Sequence, residues 1–208
     1  MIDWRGTYGT MAINFHPVTA PDDDELMLLH ELNPGYTVER LADGALLVSP
    51  NGAAGGMRNA NLTLQLGLWE RRAKRGPTFD SSTGFRLADT SVFSPDGAFV
   101  RSERWEPLSK VQRERYFDGA PDAAFEIVSR TDLREAQLGK CESYVRNGSP
   151  FVVLLDPYRG FVDVWRDGEH ARAHRHRVAR LRARHAGIRA RPQLDSRGVA
   201  STRRSPTR

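Results

Sequence analysis

Hydrophobic residues recur at helical spacing most clearly between residues 62 and 73. Every third or fourth position of this segment is apolar, as in a helix with one buried face. The positions are Leu62, Leu66, Trp69 and Ala73. Gly76-Pro77 follows, a pair that favours the end of a helix. The preceding segment, 50–56, contains one proline and three glycines and is therefore predicted to be a loop.

Two further helices are predicted from the signals at their ends. Residues 25–31 follow three aspartates at 22–24, and negative charge at its start stabilises a helix through the helix dipole. Residues 132–147 are followed by a glycine that favours a helix end. At the start of this segment, Asp132 and Glu135 have the spacing of a capping box.

Short apolar and alternating runs predict the strands. Residues 36–41 and 45–48 are joined by Asp43-Gly44, which favours a tight hairpin turn. Five more strands are predicted, at 79–87, 91–101, 123–128, 151–155 and 161–165. The last of them alternates between apolar and polar residues, as an edge strand does. This order predicts an α/β or α+β fold in which helices flank one mixed central sheet, with the first hairpin as an N-terminal extension.

Charge is distributed unevenly along the chain of 208 residues. The formal net charge is +5, yet 12 of the 31 basic residues and only one of the 26 acidic residues lie in 170–208. That segment therefore carries +11 and the remainder of the chain −6. We predict a flexible N-terminus (1–21), one folded domain (22–169) and a basic, disordered tail (170–208). The tail is either an electrostatic arm that binds nucleic acid or a terminus without a function. We favour the second interpretation.

Composition and missing motifs exclude several classes of protein. Because Cys141 is the only cysteine, the chain can form neither an intrachain disulfide nor a cysteine cage for zinc. No apolar run approaches the roughly 18 residues that cross a bilayer, and no signal-peptide pattern is visible. We therefore expect a cytoplasmic protein that binds no membrane. Neither a phosphate-binding Gly-Lys-Ser/Thr loop nor a Gly-x-Ser-x-Gly elbow is present.

Three charged residues occupy positions where burial is predicted. Glu126 lies in the middle of an apolar strand, and a buried carboxylate needs a cation, a metal or a proton. Asp96 opens another predicted strand, although Pro-Asp-Gly is also typical of an ordinary turn. Lys140 lies at the edge of a buried helix face, one turn after Gln137. An ion pair with arginine would explain Glu126 equally well, and most helical lysines are solvated, so these residues alone leave the function open.

Taken in order, these residues and their flanking segments resemble a known family. Asp96 after a proline, Glu126 on the next buried strand and Lys140 on the following helix resemble the PD-(D/E)XK nuclease superfamily. Over roughly residues 22–166, the chain is similar to the Uma-two family of restriction-type endonucleases. The matching segments are Asn33-Pro34-Gly35-Tyr36, Leu47-Val48-Ser49-Pro50, Ser81-Ser82-Thr83-Gly84-Phe85, Ser94-Pro95-Asp96, Phe125-Glu126-Ile127-Val128-Ser129, Tyr144-Val145-Arg146-Asn147-Gly148 and Leu155-Asp156-Pro157.

The resemblance implies a restriction-endonuclease-like fold and metal-dependent hydrolysis of phosphodiester bonds. The residues that it assigns to the active site are Asp96, Glu126, Lys140, Glu39 and Gln137. Asp96 and Glu126, together with the carbonyl of Ile127, would bind Mg²⁺, or Mn²⁺ as a substitute. The ion would polarise the phosphate and acidify its bound water, and Lys140 would stabilise the developing charge. Glu39 would extend the site, and Gln137 would hold a water or a phosphate oxygen.

One departure from the superfamily pattern leaves more than one function open. Val128 stands two residues after Glu126, where the superfamily usually has lysine, so the role of that lysine would pass to Lys140. The first hypothesis is a Mg²⁺-dependent endonuclease that acts on DNA. We expect it to be a homodimer, because an acidic domain offers DNA little positive surface unless two copies combine their arginines. The second hypothesis is an inactive nucleic-acid-binding or regulatory protein, and a weaker third is a module whose basic tail binds an acidic partner.

Overall fold

The structure is a computed structural model that describes residues 12–130 and 132–174. By its internal contacts the chain forms one unit over Met1–Arg172 and a second over Ala173–Arg208, of which only residues 173 and 174 are described. In chain order the elements are β1 (Ile13–Phe15), α1 (Asp23–Leu32), β2 (Tyr36–Arg40), β3 (Leu46–Pro50), α2 (Ala53–Ala73), β4 (Thr78–Asp80), β5 (Phe85–Arg86), β6 (Val92–Phe93), β7 (Gly97–Phe99), α3 (Ser102–Trp105), α4 (Lys110–Arg113), β8 (Phe117–Asp118), β9 (Ala123–Ile127), α5 (Arg134–Arg146), β10 (Phe151–Asp156), β11 (Phe161–Arg166) and β12 (Glu169–His174).

The strands form two six-stranded mixed sheets flanked by helices. The order of the first sheet is β1-β3-β2-β6-β5-β8, with β5 and β8 parallel. The order of the second sheet is β12-β11-β10-β9-β7-β4, with β9 and β10 parallel. The predicted class, a mixed α/β fold with helices around mixed β-structure, is confirmed. The expectation of one central sheet is wrong, because the strands divide between two sheets.

The division arises within the predicted strands 79–87 and 91–101, since each contributes to both sheets. The first contains β4, in the second sheet, and β5, in the first sheet. The second contains β6, in the first sheet, and β7, in the second. Pro95 stands between β6 and β7 and has no N–H with which to continue a strand ladder. Asp96 therefore lies where the chain passes from one sheet to the other.

The helices follow the predicted periodicity, but two of their ends differ from the prediction. In α1 the capping box forms between Asp22 and Glu25, with hydrogen bonds of 2.9 and 3.0 Å. In α5 the predicted box is wrong, because Asp132 instead accepts a 2.6 Å hydrogen bond from the backbone N–H of Ser129. The predicted loop 50–56 is too long, since α2 already begins at Ala53. Within the described ranges, no helix is long and apolar enough to cross a bilayer.

The long helix α2 packs closely against β7. A Cβ atom placed on Gly97 would lie 2.7 Å from Leu66 Cδ1 and 3.0 Å from Leu62 Cδ2, so a larger residue would force these two side chains to shift. Both leucines belong to the predicted apolar face of the helix. Because Gly97 directly follows Asp96, this contact places α2 beside the aspartate.

The two ends of the predicted domain differ from the sequence interpretation. The second sheet extends past Glu169, since β12 continues through His174 and makes β11 an interior strand instead of an edge strand. Alternation in 161–165 therefore reflects unlike environments on the two faces of the sheet, which an interior strand can also have. At the other end, β1 pairs with β3 in a segment that was expected to be flexible. The rest of the predicted tail, 175–208, and residues 1–11 lie outside the described residues.

A buried ionic network attaches the start of α5 to the second sheet. The side chain of Asp163 on β11 is fully buried and contacts Arg134. It also lies 2.6 Å from Arg172 Nε and 3.0 Å from His170 Nε2. Arg134 binds Asp156 at 2.9 Å as well. The network therefore fixes α5, the helix that carries Lys140, to strands β10 and β11.

Replacing Asp163 by asparagine is expected to destabilise the protein by about 3 kcal/mol at neutral pH, because the surrounding cations lose a buried partner. Burial opposes ionisation of Asp163, but hydrogen bonds from these cations lower its pKa. Asp163 therefore stabilises the folded protein at pH values above the ordinary pKa range of a carboxyl group. This stabilisation is lost as the pH falls through the lowered pKa of Asp163. In urea unfolding experiments, the free energies of unfolding of the variant and of wild type should become equal at acid pH. The control is Asp118→Asn, on a side chain that is 77% exposed, and it should change the free energy of unfolding little at any pH.

Candidate active site

Three of the predicted site residues meet although they belong to different elements. Glu39 lies on β2 in the first sheet, Glu126 on β9 in the second sheet, and Lys140 on α5. The ammonium nitrogen of Lys140 is 2.8 Å from Oε1 of Glu39 and 2.8 Å from Oε1 of Glu126. The lysine side chain is 11% exposed and each glutamate side chain 5% exposed. The structure thus contains a buried cluster of two carboxylates and one ammonium.

The position of Lys140 follows from the packing of α5. Cys141 and Tyr144, on the face of the helix next to Lys140, are fully buried in the main core cluster. Lys140 therefore lies at the border of the buried face, where its methylene stem packs and its ammonium reaches inward. Its Nζ atom also lies 3.5 Å from the carbonyl oxygen of Ser94 and 5.7 Å from the centre of the Phe93 ring.

Asp96 lies on the neighbouring strand connection, beside the strand of Glu126. Its Oδ2 atom accepts a 2.7 Å hydrogen bond from the backbone N–H of Ile127, and the nearby side chain of Asn59 on α2 also acts to lower its pKa. Because β7 and β9 pair antiparallel through Gly97 and Phe125, Asp96 is held next to Glu126 across the sheet. The charge of Lys140 acts on both carboxylates.

The hydrogen bonds to the two glutamates converge on one oxygen of each. Oε1 of Glu126 contacts the ammonium of Lys140 and accepts a 3.0 Å hydrogen bond from the hydroxyl of Tyr144. Oε1 of Glu39 contacts the same ammonium and accepts a 2.7 Å hydrogen bond from the backbone N–H of Ser94. These contacts fix the orientation of both carboxylates and direct the second oxygen of each away from the donors.

Three carboxylates share one ammonium, and the pKa values reflect this excess of negative charge. Burial raises the pKa of Glu126 from its ordinary 4.5 to about 8, against the attraction of Lys140 and with added repulsion from Asp96 and Glu39. Burial likewise raises the pKa of Asp96, although Lys140 opposes the shift. Burial alone would lower the pKa of Lys140, but the charges of Glu126 and Glu39 raise it, so the lysine remains charged.

The residues present fit a divalent cation bound mainly by Asp96 and Glu126. No three acidic, histidine or cysteine side chains form a ready-made metal cluster in the part of the chain that the structure describes. Mg²⁺ needs no such cluster, because it keeps several waters and takes one or two carboxylates. The excess negative charge favours a cation here. In addition, Oε1 of Gln137, one turn before Lys140, is buried without a hydrogen-bond partner among the described residues and could accept a hydrogen bond from a water of such an ion.

The sequence analysis missed three groups that hold the cluster. Tyr144 could have been found, since it lies four residues after Lys140 and therefore on the same helix face. Asn59 and the backbone N–H of Ser94 carry no such signal, because they reach the carboxylates only through the tertiary fold. Gln137 lies on α5 as predicted, and Ile127 contacts Asp96 through its N–H, a group that the sequence analysis did not consider.

The fold is shared with the crystal structure of a putative nuclease belonging to DUF820 from Anabaena variabilis ATCC 29413. The TM-score is 0.61 and the sequence identity 19%, over 76% of this chain and 85% of that chain. At this identity the comparison establishes the fold.

The family follows from the sequence itself. The Uma2 family, described as "Putative restriction endonuclease", matches residues 23–187. The chain belongs to this family, and the predicted resemblance is confirmed. Among curated proteins no match is found.

Proposed function

We propose that the protein is a Mg²⁺-dependent endonuclease that hydrolyses phosphodiester bonds of DNA. The observation that carries the proposal is the ammonium of Lys140, 2.8 Å from each of two buried glutamates and beside Asp96. One ammonium balances one carboxylate, so a purely structural salt bridge would need neither a second buried glutamate nor the half-buried Asp96 beside it, and each additional carboxylate is costly. A site that awaits a divalent cation and a phosphate accounts for this excess.

The contacts of each residue support a distinct role. Asp96 and Glu126, with the carbonyl of Ile127, would hold the ion, which when bound polarises a phosphate oxygen and acidifies a water molecule. Lys140 keeps its proton near neutral pH because both glutamates raise its pKa, so its ammonium can stabilise charge that develops on the phosphate. Glu39 orients that ammonium and is itself held by the N–H of Ser94.

Two further side chains of α5 support the same chemistry. The Tyr144 hydroxyl donates to Oε1 of Glu126, which leaves Oε2 as the oxygen for the ion. The unpartnered carbonyl oxygen of Gln137 can accept a hydrogen bond from the attacking water and so orient it. Both act by positioning, because neither would exchange a proton with the phosphate.

The burial of Val128 bears on the choice between an active and an inactive protein. Val128 lies on the same strand face as Glu126, two residues on, and is 1% exposed within the main core cluster. A lysine there would lie beside Glu126, and Lys140 provides an ammonium in contact with that carboxylate from α5 instead. The migrated lysine therefore favours the active nuclease. A homodimer would present one such cluster to each of the two DNA strands, and we include the homodimer in the proposal.

Supercoiled plasmid is expected to be nicked and linearised in millimolar Mg²⁺ or Mn²⁺ and to remain intact in EDTA, because the carboxylates need the ion. Gel assays measure the cleavage, RNA of equal length tests the preference for DNA, and calorimetry measures Mn²⁺ binding. The double variant Asp96→Asn/Glu126→Gln, purified in parallel, identifies any contaminating nuclease. Cleavage that persists in EDTA would contradict the proposal, and DNA binding without cleavage in either ion would favour the inactive binding protein.

A further inference from the structure

Arg58 and Tyr158 meet near the edge of the second sheet at which strand β9, the strand of Glu126, ends. The strands β9 and β10 run parallel, with Ile127 paired with Leu155, so their carboxyl ends meet at this edge. Ligands of mixed and parallel sheets commonly bind there. Tyr158 lies two residues beyond the end of β10, and Arg58 lies on α2, the helix that packs against Gly97 next to Asp96.

Arg58 and Tyr158 form a pair across this edge. The guanidinium Nη2 of Arg58 donates a 2.8 Å hydrogen bond to the hydroxyl of Tyr158. The guanidinium carbon also lies 4.9 Å from the centre of the tyrosine ring. The tyrosine therefore holds the arginine in one orientation while it uses only one of its five N–H donors. Tyr158 is 47% exposed, so the pair is open to solvent.

Among the described residues, the charge of Arg58 has no acidic partner. In the described ranges Arg58 forms no salt bridge, although other arginines near this edge do. Arg134 and Arg159 both bind Asp156, and Arg134 also binds Asp163, so each of these two guanidinium groups contacts a carboxylate. Arg130, exposed beyond the end of β9, likewise forms no salt bridge with any described residue. This edge thus carries uncompensated positive charge next to a cluster with excess negative charge.

We propose that the Arg58–Tyr158 pair binds a backbone phosphate of the DNA strand next to the phosphate that is cleaved. A guanidinium with free donors matches two phosphate oxygens, and its fixed orientation reduces the entropy lost on binding. Arg58 makes the contact, and Tyr158 is a positioning residue that acts through it. This inference rests on the proposed function, since it identifies the surface that guides the same substrate to the cluster.

The test measures DNA binding in EDTA, where no cleavage occurs. Fluorescence anisotropy of a labelled duplex over a range of salt concentrations gives the affinity and its salt dependence. Arg58→Ala is expected to weaken binding about tenfold at low salt and to reduce the slope of log K against log salt by about 1. Tyr158→Phe retains the charge, so it should weaken binding by about threefold without a change of slope. Arg72→Ala, on an exposed arginine of the same helix, is the control and should change neither.

The outcomes separate this inference from the proposed nuclease activity. If Arg58→Ala binds DNA like wild type with an unchanged slope, the inference is overturned even where wild type cleaves DNA. A lower unfolding temperature of Arg58→Ala with unchanged affinity would also overturn it, because the pair would then only attach α2 to the β10–β11 turn. If the affinity and slope fall as expected but no ion supports cleavage by wild type, the phosphate contact of the Arg58–Tyr158 pair is confirmed and the nuclease proposal fails.

Discussion

Replacing Glu126 by glutamine is expected to abolish cleavage and at the same time to stabilise the folded protein at alkaline pH. The rate of plasmid cleavage in Mg²⁺ should fall by about 10³-fold, because the neutral amide no longer offers a negative charge to bind the ion that activates the phosphate and the water. Glutamine has the size of glutamate and can still accept from Tyr144 through its carbonyl oxygen. The loss therefore reports the charge of Glu126 and not its volume.

The gain in stability follows from the direction of the pKa shift. In the folded protein the pKa of Glu126 is raised from 4.5 to about 8, so the folded state binds a proton that the unfolded chain has already released. The stability of wild type therefore falls as the pH rises from about 4.5 to about 8. The stability of the glutamine variant does not decrease in this way, because the amide of glutamine does not titrate. At about 1.4 kcal/mol for each pKa unit, its advantage above that range should reach a few kcal/mol.

Urea unfolding at about pH 5 and about pH 9 measures the two stabilities in the absence of divalent ions. The matched control is Glu142→Gln on α5, whose side chain is 57% exposed and whose ion pair with Arg146 spans 3.9 Å. It should change stability by less than about 0.5 kcal/mol and leave cleavage intact. A Glu126→Gln protein that is less stable than wild type at alkaline pH would show that Glu126 serves a structural salt bridge.

The sequence was sufficient to identify the charged residues of the cluster, but not the way in which they are held. Glu126 stood out because its neighbours on the strand are apolar, and Lys140 because it borders an apolar helix face. Both signals are local. The 2.7 Å contact between Glu39 and the N–H of Ser94 joins residues 55 positions apart, and that between Asp96 and Ile127 joins residues 31 apart. Such contacts depend on how the sheets are assembled, which local periodicity does not encode.

The same reason explains the errors in the fold. The strands β5 and β6 have two residues each, so neither leaves a pattern long enough to assign it to one sheet. The β12 strand is rich in arginine and histidine, yet its residues Arg172 and His170 contact the buried Asp163. The polar residues of β12 led to the prediction of a disordered tail, because their acidic partner, Asp163, lies on another strand and is not visible in the local sequence. The second half of the long helix α2, residues 62–73, in contrast follows directly from its own period.

Replacing Lys140 by methionine is expected to abolish cleavage as well, but to change stability in the opposite direction. Methionine retains most of the packing of the lysine stem and removes the ammonium. Above about pH 8 the charges of Glu39 and Glu126 would then be buried without a counter-charge, and the loss of stability should be about 3–5 kcal/mol. At about pH 5 the loss should be smaller, because Glu126 holds a proton there whether or not Lys140 is present.

Unfolding in urea at the two pH values measures this difference, with Lys110→Met on exposed α4 as the control that should alter neither stability nor cleavage. In an ordinary buried salt bridge, removing either partner destabilises the protein, because the other partner is left unpaired. Here the carboxylates outnumber the ammonium, so removing Glu126 relieves repulsion whereas removing Lys140 increases it. A loss in Lys140→Met that is equal at both pH values would mean that the carboxylates carry no excess charge. The cluster would then have no electrostatic reason to bind a cation.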